Sequence, residues 1–357
     1  MGKIKVGIVG IGNCASSLIQ GLEYYRDVDK NSGFVPGIIH NTLKKYRIRD
    51  IQIVAAFDVN NFKVGIDLSD AINSHPNCAY KFCEVPFLNV EVIRGPLLDG
   101  LSEKLQEIIP VDKHAPVACV SEILKETQAE ILINFLPTGS KIASEFYADQ
   151  ALKSGCGFIN GIPECIASSK KWQRKFSRKG LPLVGDDVKS QLGGTSLHRD
   201  LVELFLKWGC KINNTYQLNF GGNTDFLNLI DPSRSETKIF CKNESIKQLI
   251  PYPTIIDVSV MTKKKMRSTS LEDPKHTKIH IDGENFGSRP LSIDVELHVE
   301  DSPNSAGVMI DIIRSMKVAI DKEDYGVINP ICSQYFKNPP KPSDNRHAQD
   351  EFDAYIQ

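Results

Sequence analysis

The chain has 357 residues, 41% hydrophobic and 24% charged, and 43 Lys plus Arg against 44 Asp plus Glu leave a formal net charge of -1. At roughly 150 residues per domain this predicts two soluble domains and excludes a disordered chain, a collagen-like fibre and a disulfide mini-scaffold. With no basic excess there is no reason to expect nucleic acid or an anionic membrane as partner.

Nine cysteines at irregular spacing, without any Cys-x-x-Cys, read as free thiols in a reducing cytoplasm. No apolar run approaches the roughly 18 residues that span a bilayer. The N-terminus runs directly from Met1-Gly2-Lys3 into a strand pattern, with no signal peptide expected. Apolar runs at 4–9, 51–57, 131–136, 156–160 and 181–185 suit strands buried on both faces of a parallel sheet. Helical patterns at 13–25, 63–73, 117–127, 140–154 and 168–179 alternate with them, which predicts a doubly wound α/β domain of the Rossmann type.

A further helix reads from Gln191 to Trp208. Beyond it the texture changes. Tyr216-Gln217-Leu218-Asn219-Phe220 and the stretch Ile293 to Val299 alternate apolar with polar, the habit of antiparallel strands with one wet face. The expected organisation is a first domain over 1–194, completed by 304–357, and an inserted α+β domain over 195–303. The segment 305–321 reads as a helix packing back on the first domain. The proline-containing tail from Lys337 reads as an irregular arm.

Gly10-x-Gly12-x-x-Ala15 follows the first strand and opens the first helix. Gly10 permits the tight turn, Gly12 lets backbone approach a pyrophosphate, and Ala15 keeps helix and strand close. The helix start then offers amides to phosphate. Asp58 ends the next strand, where a carboxylate bonds ribose hydroxyls and repels a 2′-phosphate, so NAD is favoured over NADP. A turn-rich, basic insertion at 27–50 lengthens the usual gap of about 20 residues. Asp67 faces the cofactor or caps a helix. The loop through Pro137 and Thr138 either lines the cofactor crevice or is an ordinary strand–helix connection. Tyr147, in the next helix, is a packing residue or a cofactor contact.

Lys238 and Lys242, four apart, share a helix face that suits an anion between them or plain solvation. The run Lys263-Lys264-Lys265-Met266-Arg267 reads as a solvated loop. Polar turns recur at Gly185-Asp186-Asp187-Val188-Lys189-Ser190, Gly221-Gly222-Asn223-Thr224-Asp225 and Asp301-Ser302-Pro303-Asn304-Ser305. In the last, Asp301 or Ser302 would be the helix N-cap.

On these segments, with Val9-Gly10-Ile11-Gly12-Asn13-Cys14-Ala15-Ser16-Ser17, the sequence resembles the inositol-3-phosphate synthase (inositol-1-phosphate synthase) family, in its shorter archaeal and bacterial form. The resemblance covers Gly7 to about Pro340. It implies an NAD-dependent isomerase that converts glucose 6-phosphate to inositol 3-phosphate by transient oxidation at C5, enolisation, intramolecular aldol closure and re-reduction. It further implies catalytic roles for Lys238, Lys242, Lys275, Lys337, Asp187, Asp225 and Asp301. Cofactor contacts fall on Gly10, Gly12, Asn13, Cys14, Ala15 and Asp58. Ser190 and Asn223 come near the substrate phosphate or the cofactor. A divalent metal accompanies the archaeal and bacterial branch, but no His/Cys cluster marks ligands for it here. The family forms tetramers, so a homotetramer is expected. The competing readings are an NAD-linked dehydrogenase of a phosphorylated sugar or semialdehyde, which would accumulate NADH, and a non-catalytic NAD-binding sensor.

Overall fold

The computed structural model describes residues 2–262 and 271–357. The Lys263-to-Arg267 run, expected as a solvated loop, lies outside the described residues. The strands of the two main sheets, in chain order, are β1 (Ile4–Val9), β2 (Ile51–Asp58), β3 (Val92–Arg94), β4 (Ile131–Asn134), β5 (Gly157–Asn160), β6 (Pro182–Val184), β7 (Lys211–Gly222), β8 (Ile255–Thr262), β9 (Glu272–Glu284), β10 (Pro290–Glu300) and β11 (Gly326–Val327).

The first sheet is parallel throughout, in the order β11-β6-β5-β4-β1-β2-β3. Its strands are apolar runs buried on both faces, as the sequence predicts. The chain moves outward from β1 through β2 to β3, then returns to place β4 on the other side of β1. That reversal makes a switch point at the carboxyl ends of β1 and β4, where open α/β sheets bind ligands. Helices α1 (Asn13–Tyr24), α2 (Lys141–Ser154), α3 (Lys170–Lys179) and α4 (Gly194–Lys207) fall where helical patterns were expected.

The second sheet runs β8-β7-β9-β10. β7, β9 and β10 pair antiparallel, but β8 lies parallel to β7. A parallel neighbour needs a crossover, and α5 (Thr224–Asn228) and α6 (Pro232–Lys247) supply it. On β7 the covered and open faces are the reverse of simple amphipathic reading. Thr215, Gln217 and Asn219 are buried, while Tyr216, Leu218 and Phe220 are at least partly open. The buried polar groups satisfy one another: His198 on α4 meets Thr215 at 2.7 Å, and Gln217 donates to Asn219 at 2.7 Å. Burial without that network would cost several kcal/mol. β10 follows the simple rule, with Leu291, Ile293 and Val295 packed toward the core formed by Val202, Phe205, Ile246 and Ile279.

Helix α7 (Asp301–Asp321) packs against α1 and is buried along most of its length. Its N-cap is Glu300, ahead of both Asp301 and Ser302, the expected caps. Fully buried Arg314 on α7 pairs with Asp311 and donates to the His40 carbonyl at 2.7 Å, which seats the 27–50 insertion on this helix. The tail departs from the irregular arm. Asn345–Ile356 forms α8, with Asp344 accepting from the His347 amide and Phe352 fully buried. The spacing Ala348, Phe352, Ile356 carries the helical period that the preceding prolines obscure.

Candidate active site

A single cleft runs from the switch point of the first sheet to the end of the second, enclosing about 1670 Å³ out to its open mouth. Its walls carry the glycine turn and Asp58 at one end and the lysines at the other, so both ends open on the same space.

The first-sheet end is built on the glycine turn. Gly10 has φ +86°, and a Cβ there would sit 2.7 Å from the Phe135 carbonyl oxygen, so a side chain is excluded. At Gly12 a Cβ would meet no atom within 4 Å, which leaves an open cradle in front of α1. Gly12 is the N-cap and supplies no side-chain cap. Asn13 does not cap either, because its carbonyl oxygen accepts from Cys78 N (2.7 Å) and Ala79 N (3.2 Å). A helix start presented bare to a cavity fits a phosphate. Cys14 and Ala15 complete the turn at the cleft wall. Burial, with Asp301, Asp273 and Asp225 nearby, pushes the Cys14 thiol up to about 12, so it stays protonated and is no nucleophile at neutral pH.

Asp58 lies beside this turn. One carboxylate oxygen accepts from Ile11 N (2.8 Å), the other from Val59 N (2.7 Å) and Asn60 N (3.0 Å). The carboxylate is thereby held at the cleft edge with lone pairs to spare. Asp67 is a correction. It caps the short helix Leu68–Ala71, and its oxygens also take Leu88 N (3.1 Å) and Val90 N (2.9 Å). It is absent from the cleft wall, because a carboxylate after a strand serves a helix cap as readily as a ribose. Tyr147 is buried beside Phe57 and faces the cleft with Leu101, Leu105 and Ile109, an apolar end suited to a flat ring.

Pro137 and Thr138 line the cleft after β4. Thr138 Oγ1 donates to Asp225 Oδ1 at 3.1 Å, and Asn228 donates to the Thr138 carbonyl at 2.8 Å. This couples the cofactor-side loop to α5. Asn223 caps α5, accepting from Asp225 N and Phe226 N, and donates to buried Asp273 at 3.0 Å. Ser190 reaches the cleft and bonds Ser305 at 3.1 Å.

At the second-sheet end the four lysines converge with the three carboxylates. Lys238 pairs with Asp225, Lys275 with Asp301 at 3.0 Å, and Lys337 with Asp187 at 2.7 Å. Lys337 is pinned by backbone pairing as well: its amide donates to the Asp187 carbonyl at 2.8 Å. Lys242, one helical turn from Lys238 on α6, is buried and has no carboxylate partner among the described residues. Burial, then the charges of Lys275, Lys337 and Lys238, holds its amine well below the usual lysine range; Asp187 opposes them only in part. Burial also disfavours the Lys238 charge, but Asp225, Asp187 and Asp301 outweigh it and raise Lys238. Burial opposes ionisation of Asp225 and Asp301, yet Lys238 for the one and Lys275 for the other bring each below the ordinary carboxylate range. Three cations locked in ion pairs thus surround one that sheds its proton easily.

Two features of the cleft went unread in the sequence. Lys63 is buried at its wall, donating to the Ile11 carbonyl (2.7 Å) and Asn77 (2.9 Å), which braces the glycine turn. Its distant partners leave no local signal. Gly193-Gly194-Thr195-Ser196 brings the start of α4 into the cleft, with Gly193 as an N-cap lacking a side chain. The Gly-Gly pair opening a helix was a usable sign. No three-donor His, Cys, Asp or Glu cluster occurs in the cleft among the described residues. Asp187, Asp225 and Asp301 are each paired with a lysine, and Asp58 stands alone at the far end on backbone amides, a set that does not make a cation cage.

Fold and cleft define the class: an enzyme on a Rossmann-type sheet, with a lysine-rich end of the cleft carried by a second sheet. The family model for myo-inositol-1-phosphate synthase matches residues 193–302. The chain is 42% identical to the inositol-3-phosphate synthase of Corynebacterium glutamicum, over 99% of this chain and 98% of that one. It is also 42% identical to that of Mycolicibacterium smegmatis, over 100% and 98%. A myo-inositol-1-phosphate synthase-related protein from Thermotoga maritima shares the fold, with a TM-score of 0.81 at 24% identity over 99% of this chain and 98% of that one. The chain belongs to the inositol-3-phosphate synthase family.

Proposed function

We propose that the chain converts glucose 6-phosphate to inositol 3-phosphate with NAD held in the first-sheet half of the cleft. The observation that carries this reading is the unpaired, buried amine of Lys242 among three ion-paired lysines. Net oxidation needs no such array. Closing a carbon ring through an enolate needs a base and fixed positive charge at one place.

The cradle at Gly12, the bare start of α1 and the Asp58 carboxylate fit a dinucleotide, with its adenine against Tyr147 and Leu105. Bound NAD would supply a hydride acceptor for C5 and give the hydride back after closure. The start of α4 at Gly193 and Gly194, beside Ser190, seats the substrate phosphate. Neutral Lys242 accepts the C6 proton. Lys238, Lys275 and Lys337 stay charged beside Asp225, Asp301 and Asp187 and stabilise the enolate and alkoxide as charge develops. The ion pairs are formed before substrate arrives, so little reorganisation accompanies the reaction. Lys242 then gives that proton to the C1 alkoxide formed on ring closure, and the C5 oxygen, which sheds its proton as the hydride leaves, regains one as the hydride returns, so the cycle closes without net acid or base.

We place the domain division at 1–194 with 304–357 and 195–303. The outward Tyr216 and Phe220, with exposed Ile255 and Met261, leave an apolar patch on the second sheet. Such patches mark association surfaces, and a homotetramer covers this one. No helix among the described residues is long and apolar enough to cross a membrane, in keeping with a cytoplasmic enzyme.

The test is direct. Purified chain with NAD and glucose 6-phosphate yields a phosphate ester that periodate cleaves in the manner of an inositol phosphate, with no build-up of NADH. Stoichiometric NADH without that ester would make it a dehydrogenase instead.

A further inference from the structure

The open face of the second sheet carries a set of donors that the reaction does not use. In a strand, neighbouring side chains point to opposite faces. Lys275 on β9 turns into the cleft, so His276 turns away from it. His298 on β10 is the residue directly opposite His276, and Glu296 lies one step diagonal on the same face.

The ligand atoms of His276, Glu296 and His298 all lie within 4.8 Å of one another. Glu296 Oε2 is 3.4 Å from His276 Nε2 and 3.9 Å from His298 Nε2. The two imidazoles are stacked, with centroids 4.1 Å apart at 14°. Despite this crowding His276 Nε2 is buried and has no hydrogen-bond partner. Its 3.4 Å approach to Glu296 Oε2 is an ion-pair contact without hydrogen-bond alignment, and a buried ring nitrogen so placed between two other donors suits a shared partner.

The neighbouring row behaves differently. His280, four residues along β9 on the same face, has both ring nitrogens satisfied, Nδ1 by Asp294 at 2.7 Å and Nε2 by Asp282 at 3.1 Å. Histidines on this face are therefore not orphaned as a rule. Lys278 engages only the other Glu296 oxygen, Oε1, at 2.7 Å. That contact orients the carboxylate and leaves Oε2 turned to the two imidazoles, as an outer partner of a metal ligand does.

We propose that His276, Glu296 and His298 form a site for a borderline divalent cation of the zinc type, on the face of the second sheet opposite the catalytic lysines. Two imidazoles and one carboxylate are a zinc-type ligand set with a fourth position left for water. In a tetrahedral zinc site, bonds near 2.0–2.1 Å set neighbouring donors about 3.4 Å apart. The His276–Glu296 edge already has that length. The Glu296–His298 edge closes by roughly half an ångström, and the two stacked rings tilt apart so that both in-plane lone pairs meet at the cation. The site sits at the β9–β10 edge, where His276 packs on Phe220 at the border of the apolar patch (ring centroids 5.8 Å), and it is independent of the cofactor assignment. Because His276 adjoins Lys275, a bound cation stiffens the rung that carries one catalytic lysine.

The experiment uses the full-length protein stripped with EDTA and then exposed to Co²⁺, whose visible absorption reports imidazole coordination. The wild type is expected to retain one more equivalent of cobalt after desalting than either His298→Ala or Glu296→Gln, with the visible band lost in both variants. Both side chains are exposed on the single chain, so unchanged circular dichroism and unchanged mass in light scattering without metal are expected and separate loss of ligand from loss of fold or assembly. Equal cobalt and equal spectra in wild type and variants, or no retained cobalt in any of them, overturns the site.

Discussion

Replacing Lys242 by Met tests the centre of the catalytic scheme, because two readouts should move in opposite directions. Lys238, Lys275 and Lys337 each have a carboxylate, so the cleft holds three balanced pairs and one odd amine. Met keeps the length and apolar stem of that side chain and removes only the amine. If Lys242 is the base, turnover falls about 10²–10⁴-fold, the usual worth of a positioned general base, or roughly 3–5 kcal/mol in the barrier. Stability should rise. The folded state holds Lys242 below its unfolded pKa, so the unfolded chain binds more protons, and this residue costs stability at every pH below the normal lysine range. Each unit of depression corresponds to about 1.36 kcal/mol. With roughly 2.1 cal/mol/K per residue over 357 residues, that is about 2 °C in Tm. Single-turnover kinetics and a thermal melt at pH 7 decide the matter. A variant that loses less than tenfold in rate, or that melts lower than wild type, refutes the assignment.

The remaining predictions concern neighbouring groups. The rate of the chemical step should rise with pH and level off at a midpoint below the normal lysine range, since only neutral Lys242 accepts a proton. Asp187→Asn removes the negative charge that raises Lys242, so it should move that midpoint to lower pH while lowering the plateau; an unmoved midpoint assigns the titration elsewhere. Asp58→Asn keeps acceptor capacity for the Ile11 amide but drops the charge, and should weaken NAD by about tenfold while narrowing the gap to NADP, read by calorimetry. Gly10→Ala should abolish nucleotide binding and lower stability by at least about 1–2 kcal/mol from the left-handed backbone alone, since its Cβ also meets the Phe135 carbonyl. Light scattering at micromolar protein should give four chain masses, and a monomer would remove the tetramer.

Much of the first sheet was legible because its strands are unbroken apolar runs, which need only local reading. Gly10 and Gly12 announced themselves by spacing, and their roles rest on backbone geometry that few other residues can adopt. The edges β3 and β11 were not legible: two or three residues carry no period. On β7 the alternation was plain, but which face is covered depends on His198 of α4 satisfying Thr215, a contact between distant segments. Asp67 shows the same limit, as local sequence cannot tell a capping carboxylate from a cofactor ligand. The lysines were recognised through family motifs, whereas their pairing, and the isolation of Lys242, belongs to the three-dimensional arrangement alone. His276, Glu296 and His298 come from two strands and gave no spacing signal.

The claim beneath all of this is that oxidation at C5 is borrowed and returned within one turnover. Glucose 6-phosphate carrying deuterium at C5, converted with unlabelled NAD in ordinary water, tests it most directly by mass spectrometry of the product. The account predicts inositol phosphate that keeps the deuterium at the carbon derived from C5, with no NADH left over. Product from which that label has washed out, or deuterium accumulating on free reduced nucleotide, contradicts it.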